Sequence, residues 1–167
     1  MTQQQPLMAT PLSADVCAAI DRWIAKYPPE HKDSAVMGAL RVVQEANGGW
    51  LTTELMDAVA DYLEMPAISV YEVATFYSMY ELKPVGRHKI CVCTNVSCML
   101  CGSDEIVTHL QQRLGIGFGQ TTADGRFTLK EVECLAACGN APMMQIGHTY
   151  YENLTPEKVD AILADLS

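Results

Sequence analysis

The chain has 167 residues, enough for one domain or for two small units of about 80 residues each. Its 49% hydrophobic and 19% charged residues are those of an ordinary globular protein, and no apolar run approaches the ~20 residues that span a bilayer, so direct membrane insertion is not expected. A net charge of -9 disfavours phosphate backbones, which attract clustered Lys and Arg, and argues against nucleic acid as a partner.

Met1 to Pro6 lacks the basic and apolar regions of a signal peptide and reads as a frayed lead. A cytoplasmic setting is therefore expected, where thiols stay reduced and paired cysteines bind metal more often than they form disulfides. Ser13 then caps a helix with Val16, Ile20, Trp23, Ile24 and Tyr27 at helical spacing, ended by Pro28 and Pro29. Asp33 or Ser34 opens a second helix through Val36, Leu40 and Val43, closed at Asn47-Gly48-Gly49. Thr52 opens a third, with Leu55, Val59 and Leu63 inward, broken at Met65-Pro66. Ser69 and Glu72 are spaced as a capping box for a fourth helix through Val73, Phe76 and Tyr77, whose aromatic run reads as core packing, with a contact surface for a partner as the alternative. The two helices flanking Pro66 have the outline of a DNA-binding helix-turn-helix. Residues 70–80 carry no Lys or Arg, however, and residues 1–85 hold more than twice as many acidic as basic side chains.

Lys83 to Arg87 is a junction, because Pro84 and Gly86 interrupt the helical pattern and His88 to Val92 reads as a strand. Ser103 caps a helix over residues 104–114, with Gly115 as its stop. The glycines at 115, 117 and 119 follow a helix instead of joining a strand to one, so they mark a connection and not a nucleotide loop. Asp124-Gly125 is a turn signal ahead of a strand through Phe127, Leu129 and Val132. Met143 to Ile146 and Tyr150-Tyr151 flank a hairpin turn, and Thr155-Pro156-Glu157 starts a last helix with Val159, Ile162 and Leu166 buried. Strand, helix, strand, strand, strand, helix is the order of a thioredoxin-like domain. The fold class is thus α+β: an N-terminal helical bundle over residues 1–85, followed by a thioredoxin-like α/β domain over residues 86–167.

Cys93, Cys98, Cys101, Cys134 and Cys138 fall within this second region. Cys93 and Cys98 form a C-x4-C and Cys134 and Cys138 a C-x3-C. A 2Fe-2S cluster needs two thiolates on each iron, so short loops that each offer a pair suit it, and electron transfer is the favoured reading. The first loop should run into a helix N-terminus, whose N–H groups favour the cluster's negative charge, with Gly102, Gly139 and Asn140 letting backbone approach the sulfurs. Other spacings stay open. Cys98 and Cys101 form a C-x2-C that would suit a redox dithiol, and together with Cys134 and Cys138 they have acceptable zinc spacing. Cys93, Cys98 and Cys101 also begin the plant-type ferredoxin pattern, with Cys134 or Cys138 as a distant fourth. Cys17 and Cys91 are expected to be packing residues. His31, His88, His109 and His148 are too dispersed for a mixed-ligand centre.

Several stretches together resemble a known family, the thioredoxin-like 2Fe-2S subunit of bacterial respiratory complex I, an NADH:quinone oxidoreductase. They are Gly48-Gly49-Trp50, Val73 to Tyr77, Pro84 to His88, the C-x4-C, Gly119 to Thr128, the C-x3-C and Gly139 to Pro142. The resemblance implies that Cys93, Cys98, Cys134 and Cys138 hold one 2Fe-2S cluster. It also implies a place in a larger respiratory complex, in its peripheral arm on the cytoplasmic side of the inner membrane. There the cluster would exchange electrons with FMN of a partner flavoprotein subunit that binds FMN and NADH. Related subunits occur in NAD-linked formate dehydrogenases and hydrogenases. Cys91 and Cys101 are departures from the family's pattern.

Overall fold

A computed structural model describes residues 12–166, so the expected frayed lead over Met1 to Pro6 lies outside the described residues. The chain divides into two compact units between Pro84 and Val85.

The first unit is helical. Helix α1 (Ala14–Ile24) is capped by Ser13, whose hydroxyl accepts from the Val16 N–H. A 3-10 run, Pro29–Ala35, leads into α2 (Val36–Ala46). This corrects the expected cap at Asp33 or Ser34, because both residues lie inside the 3-10 run and no side chain caps α2. At its other end, Gly49 N–H bonds Gln44 O and Gly48 N–H bonds Glu45 O, with Gly48 at φ 71° and Gly49 at φ 96°. That pattern satisfies carbonyls a helix end would otherwise orphan. Helix α3 (Thr53–Leu63) is capped by Thr52 as expected.

Helix α4 (Ala67–Phe76) starts directly after Pro66, so Ser69 already lies within it and the expected capping box does not form. Its buried residues are Val70 and Ala74. Phe76 follows Ala74 by about 200° around the helix and therefore faces away from the core. It is 80% exposed, and Tyr77, Met79, Leu82 and Ile68 are exposed too, which overturns the core-packing expectation for the aromatic run. The core itself gathers Ile20, Leu40, Val43, Leu51, Val59, Leu63 and Val70. Gly38 lets α1 approach α2 closely, since a Cβ there would stand 2.3 Å from the Trp23 ring.

Tyr80 is buried beyond the end of α4 and donates to Met37 O at 2.9 Å. Burial first, and then the nearby Tyr77, push its phenol up from 10.0 to about 12. The folded value lies above the unfolded one, so the neutral phenol's contribution is complete below pH 10 and disappears as pH rises towards 12. Wild-type protein should therefore lose stability over that alkaline window in chemical denaturation, and Tyr80→Phe should flatten the loss. Equal alkaline slopes for the two proteins would count against this assignment.

The second unit is a mixed sheet with helices. Strand β1 (His88–Cys93) is central; it runs parallel to β3 (Phe127–Val132) and antiparallel to β4 (Met144–Ile146). Strands β2 (Gln120–Thr121) and β5 (Thr149–Tyr151) complete the order β2-β3-β1-β4-β5. Two elements escape the sequence pattern. Strand β2 has only two residues, both exposed, and so no alternation to reveal it. A five-residue helix, α5 (Val96–Leu100), precedes α6 (Ser103–Leu114). Ser103 is the first residue of α6, not its cap, a role that falls to Gly102 at φ 90°. Helix α7 (Pro156–Asp165) is capped by Thr155 as expected. Ile90 and Val92 of β1, Leu129 of β3, Ile106 and Leu110 of α6, and Val159 and Leu163 of α7 form the core. Alternation turns Cys91 and Cys93 to the opposite face of β1. Cys91 is accordingly half-buried and outside that core, which corrects its expected packing role.

Candidate metal centre

Strand β1 delivers Cys93 at its C-terminal end, where the Cys93 N–H donates to Met143 O at 3.2 Å. The chain does not run straight into α6, as expected, but into α5, which carries Cys98. Asn95 caps this short helix, its Oδ1 accepting from Val96 N–H at 2.9 Å, while its Nδ2 donates to Glu133 Oε2 at 2.6 Å. Next to it, Thr94 Oγ1 donates to Glu131 Oε1 at 2.8 Å. The first cysteine loop is thus fastened to the end of β3 just before Cys134. These four polar residues were not singled out from sequence; an Asn ahead of a short helical run is the one signal that could have found Asn95.

The second loop carries Cys134, and Cys138 opens a 3-10 turn, Cys138–Asn140. Ala136 takes φ 64° and directs its N–H to Cys134 Sγ at 3.3 Å. The sulfurs of Cys134 and Cys138 stand 3.4 Å apart. Leu135 and Ala137, from between them, pack with Ala141 against buried Cys93, Cys98 and Met143. The two loops therefore meet, and all four cysteines of the two pairs share one neighbourhood. Neither Gly102 nor Gly139 has an atom within 4 Å of where a Cβ would sit, so both leave open space beside the loops.

Burial pushes the Cys98 thiol up to about 11, helped by its hydrogen bond with Cys93 and the charge of Cys138, and opposed by a hydrogen bond with the Met143 backbone. Such a thiol is a poor nucleophile at neutral pH, which argues against a redox dithiol with Cys101. A positive metal partner would reverse the preference by binding the thiolate. Cys101 is exposed at the end of α5. Cys17 belongs to the helical unit, half-buried, with its thiol donating to Leu12 O at 3.9 Å. It sits on the flank of the Val16, Ile20, Trp23 and Ile24 stripe and not in the core, contrary to expectation. His109 pairs with Asp160 at 2.9 Å, away from the cysteine loops. Among the described residues no three His, Cys, Asp or Glu side chains surround one point as a single metal ion would require. Two adjoining thiol pairs are the arrangement for two irons, each taking one pair.

The family model for thioredoxin-like 2Fe-2S ferredoxins matches residues 20–167. The chain belongs to the thioredoxin-like 2Fe-2S ferredoxin family. Its cofactor is accordingly a 2Fe-2S cluster, and the thiol pairs fit that group. Two relatives share most of its length. The E subunit of the NADH-quinone oxidoreductase of Rickettsia bellii is 52% identical over 143 residues, covering 86% of this chain and 86% of that protein. An NADH-quinone oxidoreductase E subunit of Rhizobium meliloti is 46% identical over 144 residues, covering 86% of this chain and 84% of the relative. Among solved structures, NAD+-reducing NiFe-hydrogenase in the H2-reduced state aligns with a TM-score of 0.66 at 22% identity over 76% of this chain. This ferredoxin-family chain spans only 22% of that hydrogenase chain, and the likeness is one of fold. The α+β expectation holds, and among the described residues no helix is long and apolar enough to cross a membrane.

Proposed function

We propose that the chain is the electron-transfer subunit of an NADH-quinone oxidoreductase, with its 2Fe-2S cluster held by Cys93, Cys98, Cys134 and Cys138. The observation that carries the ligand set is the packing of Leu135 and Ala137 onto Cys93 and Cys98, which joins the two pairs. The parent activity is supported by relatives named as NADH-quinone oxidoreductase subunits at 46% and 52% identity. The chain is then part of an enzyme without a complete active site of its own, located in the peripheral arm at the cytoplasmic side of the inner membrane. Its partner is a flavoprotein subunit that binds FMN and NADH.

When bound, the cluster supplies one-electron storage and release. The protein's part is to hold four thiolates and to set the charge around them. Met143 and Leu135 exclude water from the Cys93 and Cys98 side, while Cys134 and Cys138 stay open to the surface. The Ala136 N–H at Cys134 Sγ stabilises negative charge on that sulfur and so favours the reduced state. All-thiolate ligation nevertheless predicts a low potential, about -400 mV or below. Purified protein should be brown, contain about two irons and two sulfides per chain, and give a spin-half paramagnetic signal after dithionite reduction. A silent spectrum from iron-replete protein would refute the assignment.

A further inference from the structure

The four thiols of the proposed centre are not equally placed. Cys93 and Cys98 are each 2% exposed, whereas Cys134 and Cys138 lie open on the surface. The two open sulfurs already stand 3.4 Å apart, and a disulfide of about 2.05 Å would need them to close by only about 1.4 Å. Residues 134–137 lie outside any helix or strand, so no backbone ladder resists that movement. The Ala136 N–H fixes the Cys134 sulfur from within the same loop. Cys101, though exposed, sits at the end of α5 on the other loop.

We propose that Cys134 and Cys138 are a reversible thiol-disulfide pair that closes, with hydrogen peroxide as oxidant, when the chain is without its iron. The Cys134 thiolate attacks one peroxide oxygen. An S–O bond forms as the O–O bond breaks, and the departing oxygen leaves as water after taking up a proton. The Cys138 thiolate then attacks the sulfenic sulfur, forming the S–S bond and expelling the second water. Two electrons pass from the sulfur pair to the peroxide, and both thiol protons end in water. A dithiol reductant reverses the bond by exchange. While closed, the disulfide occupies two ligand positions, so the chain cannot take up iron, and both sulfurs are shielded from irreversible oxidation. Burial keeps Cys93 and Cys98 out of the reaction.

This rests on the proposed ligand set only for its consequence on loading; the disulfide itself needs the two thiols alone. The full-length chain would be freed of iron with chelator and reductant, transferred out of reductant, and given one equivalent of hydrogen peroxide. It is then alkylated with iodoacetamide and digested with trypsin, which places both cysteines in the peptide 131–158. That peptide is expected to be unalkylated and lighter by two hydrogens. After dithiothreitol it should accept two alkyl groups, and the chain should load iron and sulfide again. A doubly alkylated peptide before reduction, a cross-link to Cys101, Cys93 or Cys98, or a sulfinic acid in place of the disulfide would each overturn the proposal. The same mapping on the iron-loaded full-length chain, treated with peroxide until its visible absorption is lost, covers the case in which the iron-free chain unfolds: the internal disulfide should dominate once the iron has left, and scrambled pairing refutes it. A chain that fails to load even when fully reduced would count against the metal centre instead.

Discussion

Cys134→Ser and Cys138→Ser proteins will each lose or strongly alter the visible absorption and the paramagnetic signal, while Cys101→Ser protein keeps both. The physical reason lies in how the loops meet. Leu135 and Ala137 press the second loop onto Cys93 and Cys98, so replacing either flanking sulfur leaves one iron with a single strong thiolate. Cys101 terminates α5 with its side chain exposed, and its backbone N–H is occupied by the carbonyls of Ser97 and Cys98. The competing plant-type pattern would use Cys101 and leave one of Cys134 and Cys138 idle. A colourless Cys101→Ser protein beside a brown Cys134→Ser or Cys138→Ser protein would establish that pattern in place of ligation by Cys93, Cys98, Cys134 and Cys138.

A fragment of residues 86–167 is expected to retain its cluster yet bind the proposed flavoprotein partner weakly. Each unit has its own core. Ile90, Leu110, Leu129 and Val159 serve one, and Ile20, Leu40, Val59 and Val70 serve the other. All four proposed ligands lie in the second unit. The helical unit in turn exposes Ile68, Phe76, Tyr77, Met79 and Leu82, large apolar side chains that gain by being covered in an assembly. We propose that residues 1–85 and 86–167 are separate domains, the first serving attachment and the second the cluster, close to the division between Pro84 and Val85. Co-purification of tagged fragment and tagged full-length chain with the flavoprotein partner measures the difference. Equal recovery would place docking in the second domain.

How much could be read from the amino-acid order depends on whether the cause is local. Ser13, Thr52 and Thr155 cap their helices as expected because a hydroxyl and an N–H three residues on need only the chain between them. The C-x4-C and C-x3-C spacings likewise suggest two thiol pairs, since the ligands proposed for one iron lie close in sequence. Three other features depended on partners remote in sequence. Phe76 looked like core because it is aromatic on an apolar helix, and only the choice of Val70 and Ala74 as the packed face turned it outward. Cys91 and Cys93 share a strand face by alternation, yet only Cys93 is buried, because Met143 and the loop holding Leu135 cover the end of β1 and not its middle. The fastening of Thr94 to Glu131 and Asn95 to Glu133 spans nearly forty residues, and no spacing within the chain encodes it. The order of residues by itself determined the donor chemistry; the tertiary structure alone decided which thiols would meet, because that depends on which side chains pack between the two loops.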